Sequence, residues 1–129
     1  MKQRKVLLIE DNQVDLRVTE KMLTNSIAAK NKKLNLYVES AKTLAQGIAK
    51  LKSTDYQLIL LDLGLPDSWG IDTFTKVFTI AREIPIIILS SLNDEGIAFM
   101  TVENGAHKYL VKGIVDDEEL IASVLEACP

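Results

Sequence analysis

Apolar residues divide the chain into short strand-like runs separated by helix-like segments. Three runs are apolar without interruption, at 6–9 (VLLI), 58–61 (LILL) and 86–89 (IIIL). This is typical of strands that are covered on both faces of a sheet. Residues 34–38 (LNLYV) alternate instead, and this period-two pattern predicts a strand with one face in water, at a sheet edge. Residues 109–111 (YLV) are a short fifth candidate.

The segments between these runs carry apolar residues at helical spacing. They predict five helices, over about 15–30, 43–51, 71–81, 93–104 and 116–127. Gly105 follows the fourth helix, where a glycine commonly ends a helix. The fifth helix begins with four acidic residues, which suit the positive end of a helix dipole.

Five strands alternating with five helices predict an α/β fold, a doubly wound parallel sheet with right-handed crossovers. The uninterrupted runs belong at its centre, and the amphipathic second strand belongs at an edge. Both expectations agree with the flavodoxin-like strand order 2-1-3-4-5. In such sheets ligands bind at the carboxyl ends of the strands, near the switch point between the first and third.

Length and composition indicate one domain. The chain has 129 residues and no internal repeat or linker, so we expect a single domain over 1–129 with no output domain.

The net charge of −3 argues against direct nucleic-acid binding. No apolar run approaches the roughly 20 residues of a membrane span, and the N-terminus is unlike a secretory signal. One cysteine, Cys128, forms no internal disulfide, so we expect a cytoplasmic protein without membrane contact.

The residue that follows each central strand is polar. Glu10 and Asp11 come after the first strand and Asp62 after the third, while Ser90 begins a serine pair after the fourth. Lys112 follows the fifth strand. Since neighbouring strands lie about 4.8 Å apart, these side chains should converge on one rim of the sheet.

Three carboxylates in one crevice repel one another unless a cation is present. Carboxylates with a loop carbonyl and water form a ligand set that suits Mg²⁺. An ionised Asp62 could then act as a nucleophile toward a phosphoryl group. Lys112 would supply an ammonium, Ser90 a hydroxyl, and Ser91 and Gly64 amide donors to its oxygens.

Each residue taken alone also has a structural interpretation. Asp62 could cap the following turn, and Lys112 could be a solvated edge lysine. The acid pair could cap the first helix, although Asp15 is as well placed to do so. The serine pair could cap the fourth helix, in competition with Asn93 or Asp94. Their joint placement, each immediately after a separate strand, favours the functional interpretation.

Four segments carry a family resemblance. LLIEDNQVD (7–15), LLDLGLPDSWGID (60–72), IIILSSLND (86–94) and GAHKYLVKG (105–113) together resemble a response-regulator receiver domain of two-component signalling, over nearly the whole chain. The resemblance implies a phosphorylation-dependent switch in a phosphorelay. The phosphoryl group would come from a sensor histidine kinase or a phosphotransfer protein, and the only reactions catalysed would be the domain's own phosphoryl transfer and dephosphorylation.

The resemblance also implies roles for individual residues. Asp62 would be the phosphoacceptor. Mg²⁺ would be bound by Asp11, Asp62 and the Gly64 carbonyl, and by Glu10 through water. The phosphoryl oxygens would be held by Gly64, Ser90, Ser91 and Lys112, and the switch residues would be Ser90 and Tyr109. A downstream protein partner would bind the face made by the fourth helix, fifth strand and fifth helix, and homodimer formation on phosphorylation stays open.

Several residues depart from the commoner family pattern, among them Glu10, Ser90 and Gly113. Glu10 replaces the more usual Asp and keeps its charge, and Ser90 replaces the common Thr and keeps its hydroxyl. Gly113 follows the lysine where many relatives have Pro, which argues against a cis peptide bond there.

Three rival functions remain to be weighed. A haloacid-dehalogenase-like phosphatase needs a second acid two residues after its nucleophile, where this chain has Gly64. A flavin-binding flavodoxin-like protein needs a first loop that accepts phosphate, which Glu10 and Asp11 would repel. A pseudo-receiver that acts only as a protein-interaction module retains the fold without phosphorylation.

Overall fold

All five predicted strands and all five predicted helices are present in the computed structural model, which describes residues 3–129. The strands are β1 (Arg4–Ile9), β2 (Leu36–Ala41), β3 (Leu58–Leu61), β4 (Gly64–Leu65), β5 (Ser68–Trp69), β6 (Ile86–Ser90) and β7 (Lys108–Val111). The helices are α1 (Gln13–Thr24), α2 (Ile27–Asn31), α3 (Leu44–Ser53), α4 (Ile71–Ile80), α5 (Glu95–Glu103) and α6 (Asp117–Ala127).

The five main strands form one parallel sheet of order β2-β1-β3-β6-β7. This confirms the flavodoxin-like order 2-1-3-4-5 predicted from the sequence. Ile9 of β1 lies level with Leu61 of β3, and Leu61 lies level with Ile88 of β6. The carboxyl ends of the central strands therefore meet at one rim.

An apolar layer covers each face of the sheet, which explains why the central strands are apolar throughout. Leu7 and Ile9 face one layer, which contains residues of α3 and α4. Val6 and Leu8 face the other, which contains residues of α1, α2 and α6. Every residue of β3 is completely buried, so the strand that leads into Asp62 lies within a rigid core.

The chain between β1 and β2 departs from the single predicted helix over 15–30. Helix α1 ends at Thr24, and Ser26 caps the short helix α2. The Ser26 hydroxyl donates to the Met22 carbonyl at 2.6 Å and accepts from the Ala29 amide at 3.1 Å. Because serine side chains compete for backbone groups in this way, the helix breaks here despite a continuous apolar pattern.

A small hairpin follows β3 and was not predicted. Strands β4 and β5 pair antiparallel across a two-residue turn at Pro66 and Asp67. Proline and aspartate favour such turns. Among residues 3–129, no helix combines the length and the hydropathy that a membrane crossing requires.

Candidate functional site

Backbone hydrogen bonds fix the residues at the carboxyl rim of the sheet. The Glu10 amide donates to the Ala41 carbonyl at 2.9 Å, and the Asp62 amide donates to the Ile9 carbonyl at 3.0 Å. The Lys112 amide donates to the Ser90 carbonyl at 2.9 Å. The sheet pairing thus continues one residue beyond the strands, and it brings the predicted site residues to neighbouring positions.

Three carboxylates converge at this rim. Oxygens of Glu10, Asp11 and Asp62 all lie within 4.8 Å of one another. Glu10 and Asp62 are only 2% and 6% exposed, whereas Asp11 is open to solvent. An all-oxygen donor set with one solvent-facing side is suited to Mg²⁺, which prefers carboxylates and retains waters. The residues present therefore fit this ion.

Lys112 supplies the positive charge within the cluster. Its Nζ lies 3.0 Å from Asp62 Oδ2 and 3.0 Å from Asp15 Oδ2, and it also forms an ion pair with Glu10. Burial disfavours the ammonium, but the hydrogen bonds to the three carboxylates outweigh burial and raise the pKa of Lys112. The ammonium therefore stays charged at every physiological pH.

Burial dominates the electrostatics of Glu10. It raises the pKa of the Glu10 carboxyl to about 7, Lys112 opposes the shift, and the nearby Asp62 adds to it. The Asn12 amide also donates to Glu10 Oε2 at 3.1 Å. Burial and the neighbouring Asp62 thus disfavour the ionised form of Glu10, whereas Lys112 favours it. A second cation would favour its ionised form.

The two oxygens of Asp62 have different partners. Oδ2 accepts from Lys112, and Oδ1 accepts from the Gly64 amide at 3.1 Å. A Cβ atom at position 64 would lie 2.7 Å from Cζ3 of Trp69, so the indole ring packs directly on Gly64. Trp69 is nevertheless 65% exposed.

Ser90 and Tyr109 both bind the loop that follows β6. Ser90 is 1% exposed, and its Oγ accepts from the Leu92 amide at 3.3 Å. The Tyr109 hydroxyl donates to the Leu92 carbonyl at 2.6 Å, and burial raises the pKa of Tyr109. Ser91 lies beside them and is exposed. The two predicted switch residues therefore share one loop.

The family follows from the sequence match. Residues 6–125 match the family described as the response regulator receiver domain. The chain belongs to this family. It is a signalling domain, and the acidic cluster occupies the rim where this receiver domain's strands end.

Curated relatives agree with the assignment. The receiver domain is 35% identical over 114 residues to the cell cycle transcriptional regulator CtrA of Caulobacter vibrioides, and the match covers 88% of this chain and 46% of that protein. It is 32% identical over 117 residues to the transcriptional regulatory protein KdpE of Staphylococcus aureus, with 90% and 46% covered. The chain spans about half the length of these relatives.

Solved structures share the fold. A response regulator receiver domain protein from Clostridium thermocellum superposes with a TM-score of 0.80 at 22% identity, covering 97% of this chain and 94% of that one. A CheX-CheY-BeF3-Mg+2 complex from Borrelia burgdorferi gives 0.78 at 18% identity, with 95% and 87% covered.

The structure also decides between the alternative interpretations of the helix ends. Asn12, and neither Glu10 nor Asp11, caps α1 by accepting from the Asp15 amide at 3.0 Å. Asp94 caps α5 by accepting from the Ile97 amide at 3.1 Å. The acid pair and the serine pair are therefore not used as side-chain caps of these helices.

Asp15 is the site residue that sequence reasoning missed. The sequence indicates only a helix-capping role for Asp15, yet its carboxylate binds Lys112. The available signal was proximity along the chain, because Asp15 lies four residues after Asp11, in the first turn of α1.

Proposed function

We propose that this receiver domain accepts a phosphoryl group on Asp62 and thereby acts as a switch in a two-component phosphorelay. The arrangement of Asp62 supports the proposal: its buried carboxylate lies between the Lys112 ammonium and the Gly64 amide. The oxygens of Glu10 and Asp11 lie within 4.8 Å. Such a site matches the needs of phosphoryl transfer, which are a positioned nucleophile and charge stabilisation.

The chain's own residues account for the transfer. A carboxylate oxygen of Asp62 attacks the phosphorus, a P–O bond forms, and the donor's bond to phosphorus breaks, with its electron pair leaving on the donor. Lys112, the Ser90 hydroxyl and the amides of Ser91 and Gly64 then donate to the phosphoryl oxygens. Bound Mg²⁺, held by Glu10, Asp11, Asp62 and the Gly64 carbonyl, would supply further neutralisation of the negative charge.

The loop after β6 offers a route from the site to the surface. When Ser90 donates to a phosphoryl oxygen, we expect its interaction with the Leu92 amide to change. Tyr109 bonds the carbonyl of the same residue, so the change reaches the face formed by α5, β7 and α6. Two apolar side chains of α5 are exposed there, Phe99 at 66% and Val102 at 43%, and they line a groove with Tyr109 of β7 and Glu126 of α6. They suit a downstream protein partner or a second copy of the chain.

The proposed donor is a sensor histidine kinase or a phosphotransfer protein. A pseudo-receiver is the second candidate, favoured by the same exposed apolar face. The aspartate-nucleophile phosphatase is disfavoured, because Gly64 offers no acid two residues after Asp62. We predict that this chain does not bind nucleic acid directly. The prediction concerns this chain alone, because the two curated relatives, of which it spans about half, are named as transcriptional regulators.

Incubation with acetyl phosphate and intact-mass measurement test the proposal. Wild type should gain one labile phosphoryl group only with Mg²⁺, and Asp62→Asn should gain none. Asp72→Asn is the matched control, because Asp72 is an exposed aspartate in the first turn of α4. This variant should behave as wild type.

No mass gain in wild type would favour the pseudo-receiver. Steady release of inorganic phosphate without accumulation of the phosphorylated protein would favour the phosphatase. Sedimentation velocity of the same samples measures dimer formation.

A further inference from the structure

Lys112 has three carboxylate partners, and Asp15 differs from the other two. Glu10 and Asp62 belong to the cluster whose oxygens lie within 4.8 Å of one another. Asp15 joins this cluster through Lys112, at 3.0 Å from its Nζ. Its side chain is 41% exposed, whereas Glu10 and Asp62 are buried. One partner of the ammonium is therefore outside the proposed metal and phosphoryl site.

The position of Asp15 is fixed by the start of α1. Its amide is bound by the Asn12 side chain at 3.0 Å, and the next amide, of Leu16, donates to the Asn12 carbonyl at 2.9 Å. Leu16 is 5% exposed and packs into the core. The carboxylate of Asp15 is thus attached to an ordered helical turn rather than to a mobile loop.

When a metal ion binds, it competes with the Lys112 ammonium for two of the three carboxylate partners. The three hydrogens of a lysine ammonium match three acceptors, and here Glu10 and Asp62 provide two of them. Under the proposed function these two carboxylates also hold Mg²⁺, so the ammonium competes with the ion for them. A long lysine side chain released by both would gain rotamer freedom and leave the site. Asp15 is the partner that neither the metal nor the phosphoryl group requires.

We propose that Asp15 is a positioning residue that holds Lys112 beside the site while Glu10 and Asp62 bind Mg²⁺. The inference rests on the proposed function and deepens it. Asp15 favours Mg²⁺ binding in two ways that act in the same direction. It offers the ammonium an alternative partner, and its own negative charge attracts the cation. It also keeps the ammonium within reach of an incoming phosphoryl group.

Magnesium binding in the absence of any phosphodonor tests the proposal. Calorimetric titration with Mg²⁺ should give a dissociation constant roughly two- to fivefold higher for Asp15→Asn than for wild type, the size expected for a partly exposed ion pair. The rise in melting temperature at a fixed Mg²⁺ concentration should be smaller as well, because ligand affinity is linked to stability. Asp15→Glu restores the charge and should restore both measurements.

Asp72→Asn is the matched control, since it removes the same charge from the first turn of another helix. It should bind Mg²⁺ as wild type does. If the dissociation constant for Mg²⁺ is unchanged or lower in Asp15→Asn, the role proposed for Asp15 is wrong. That result would not contradict the proposed function. A wild-type protein without Mg²⁺ binding would overturn both. At saturating Mg²⁺, a slower phosphorylation of Asp15→Asn by acetyl phosphate would further support the placement of Lys112, and an unchanged rate would contradict it.

Discussion

At the scale of single residues, the positive charge of Lys112 compensates the negative charge of the site. It is the cation that faces Glu10 and Asp62, and both of these carboxylates are buried. Removing one member of a buried charge network leaves the remaining charges uncompensated, which costs more than a surface ion pair contributes. Under the proposed function the same lysine also competes with a metal ion.

Replacing Lys112 by methionine should therefore separate stability from metal binding. We expect Lys112→Met to lower the free energy of unfolding without Mg²⁺ by about 2 kcal/mol, because carboxylates are left unpaired. We also expect Mg²⁺ to stabilise this variant more than it stabilises wild type, because the competing ammonium is gone. Urea denaturation with and without Mg²⁺ measures both effects.

Lys108→Met is the control for this experiment. Lys108 lies on the same strand, β7, but its ammonium is 3.9 Å from Glu126 and both side chains are well exposed. Such pairs contribute little to stability, so this variant should match wild type in both conditions. Equal losses in the two lysine variants would contradict the importance of the buried network.

At the scale of elements, the hairpin after Asp62 is tied to helix α3. The carboxylate of Asp67, in the hairpin turn, accepts from the Leu44 amide at 2.8 Å and from the Ala45 amide at 3.0 Å. These two amides begin α3, and the Thr43 hydroxyl accepts from the next one, of Gln46. A residue 23 positions along the chain thus completes the cap of α3 and anchors the hairpin that contains Gly64.

The cap predicts a pH-dependent stability. The amides of Leu44 and Ala45 lower the pKa of Asp67 in the folded state, so the carboxylate stabilises the fold above its unfolded pKa. This contribution is lost as the pH falls through the lower folded pKa. Asp67→Asn should lower the free energy of unfolding at pH 7 by about 1 kcal/mol, and its difference from wild type should shrink toward pH 3.

Urea denaturation of both proteins between pH 7 and pH 3 measures this difference. Asp55→Asn is the control, because Asp55 is an exposed aspartate before β3 and should leave the profile unchanged. A difference between Asp67→Asn and wild type that stays constant with pH would show that the carboxylate charge does not carry the cap.

At the scale of the whole molecule, the sheet separates two apolar layers. Val77 of α4 is completely buried in one layer, and Val124 of α6 is completely buried in the other. The two side chains lie on opposite faces of the sheet and belong to different clusters. Substitutions without shared partners usually have additive effects on stability.

Truncation on the two faces should therefore be additive. Val77→Ala and Val124→Ala should each lower the free energy of unfolding by about 1 to 3 kcal/mol, and the double variant should equal their sum within about 0.5 kcal/mol. Urea denaturation of the four proteins gives the comparison. A larger departure from the sum would show that the sheet transmits packing changes from one face to the other.

The sequence by itself determined the five main strands, their order in the sheet and the polar residues that follow them. A strand covered on both faces must be apolar throughout, so 6–9, 58–61 and 86–89 could be recognised without coordinates. The carboxyl ends of parallel strands share one rim, so the residues that follow them could be grouped in advance. Their individual roles in phosphoryl transfer stay predictions.

Only the tertiary structure decided which side chains meet across long stretches of sequence. Asp15 binds Lys112, 97 residues away, and Asp67 caps the start of a helix that begins 23 residues earlier. Trp69 lies on Gly64 because a two-stranded hairpin folds it back. Periodicity reports whether a residue faces the core, but the partner of a polar side chain depends on distances that the packed chain alone sets.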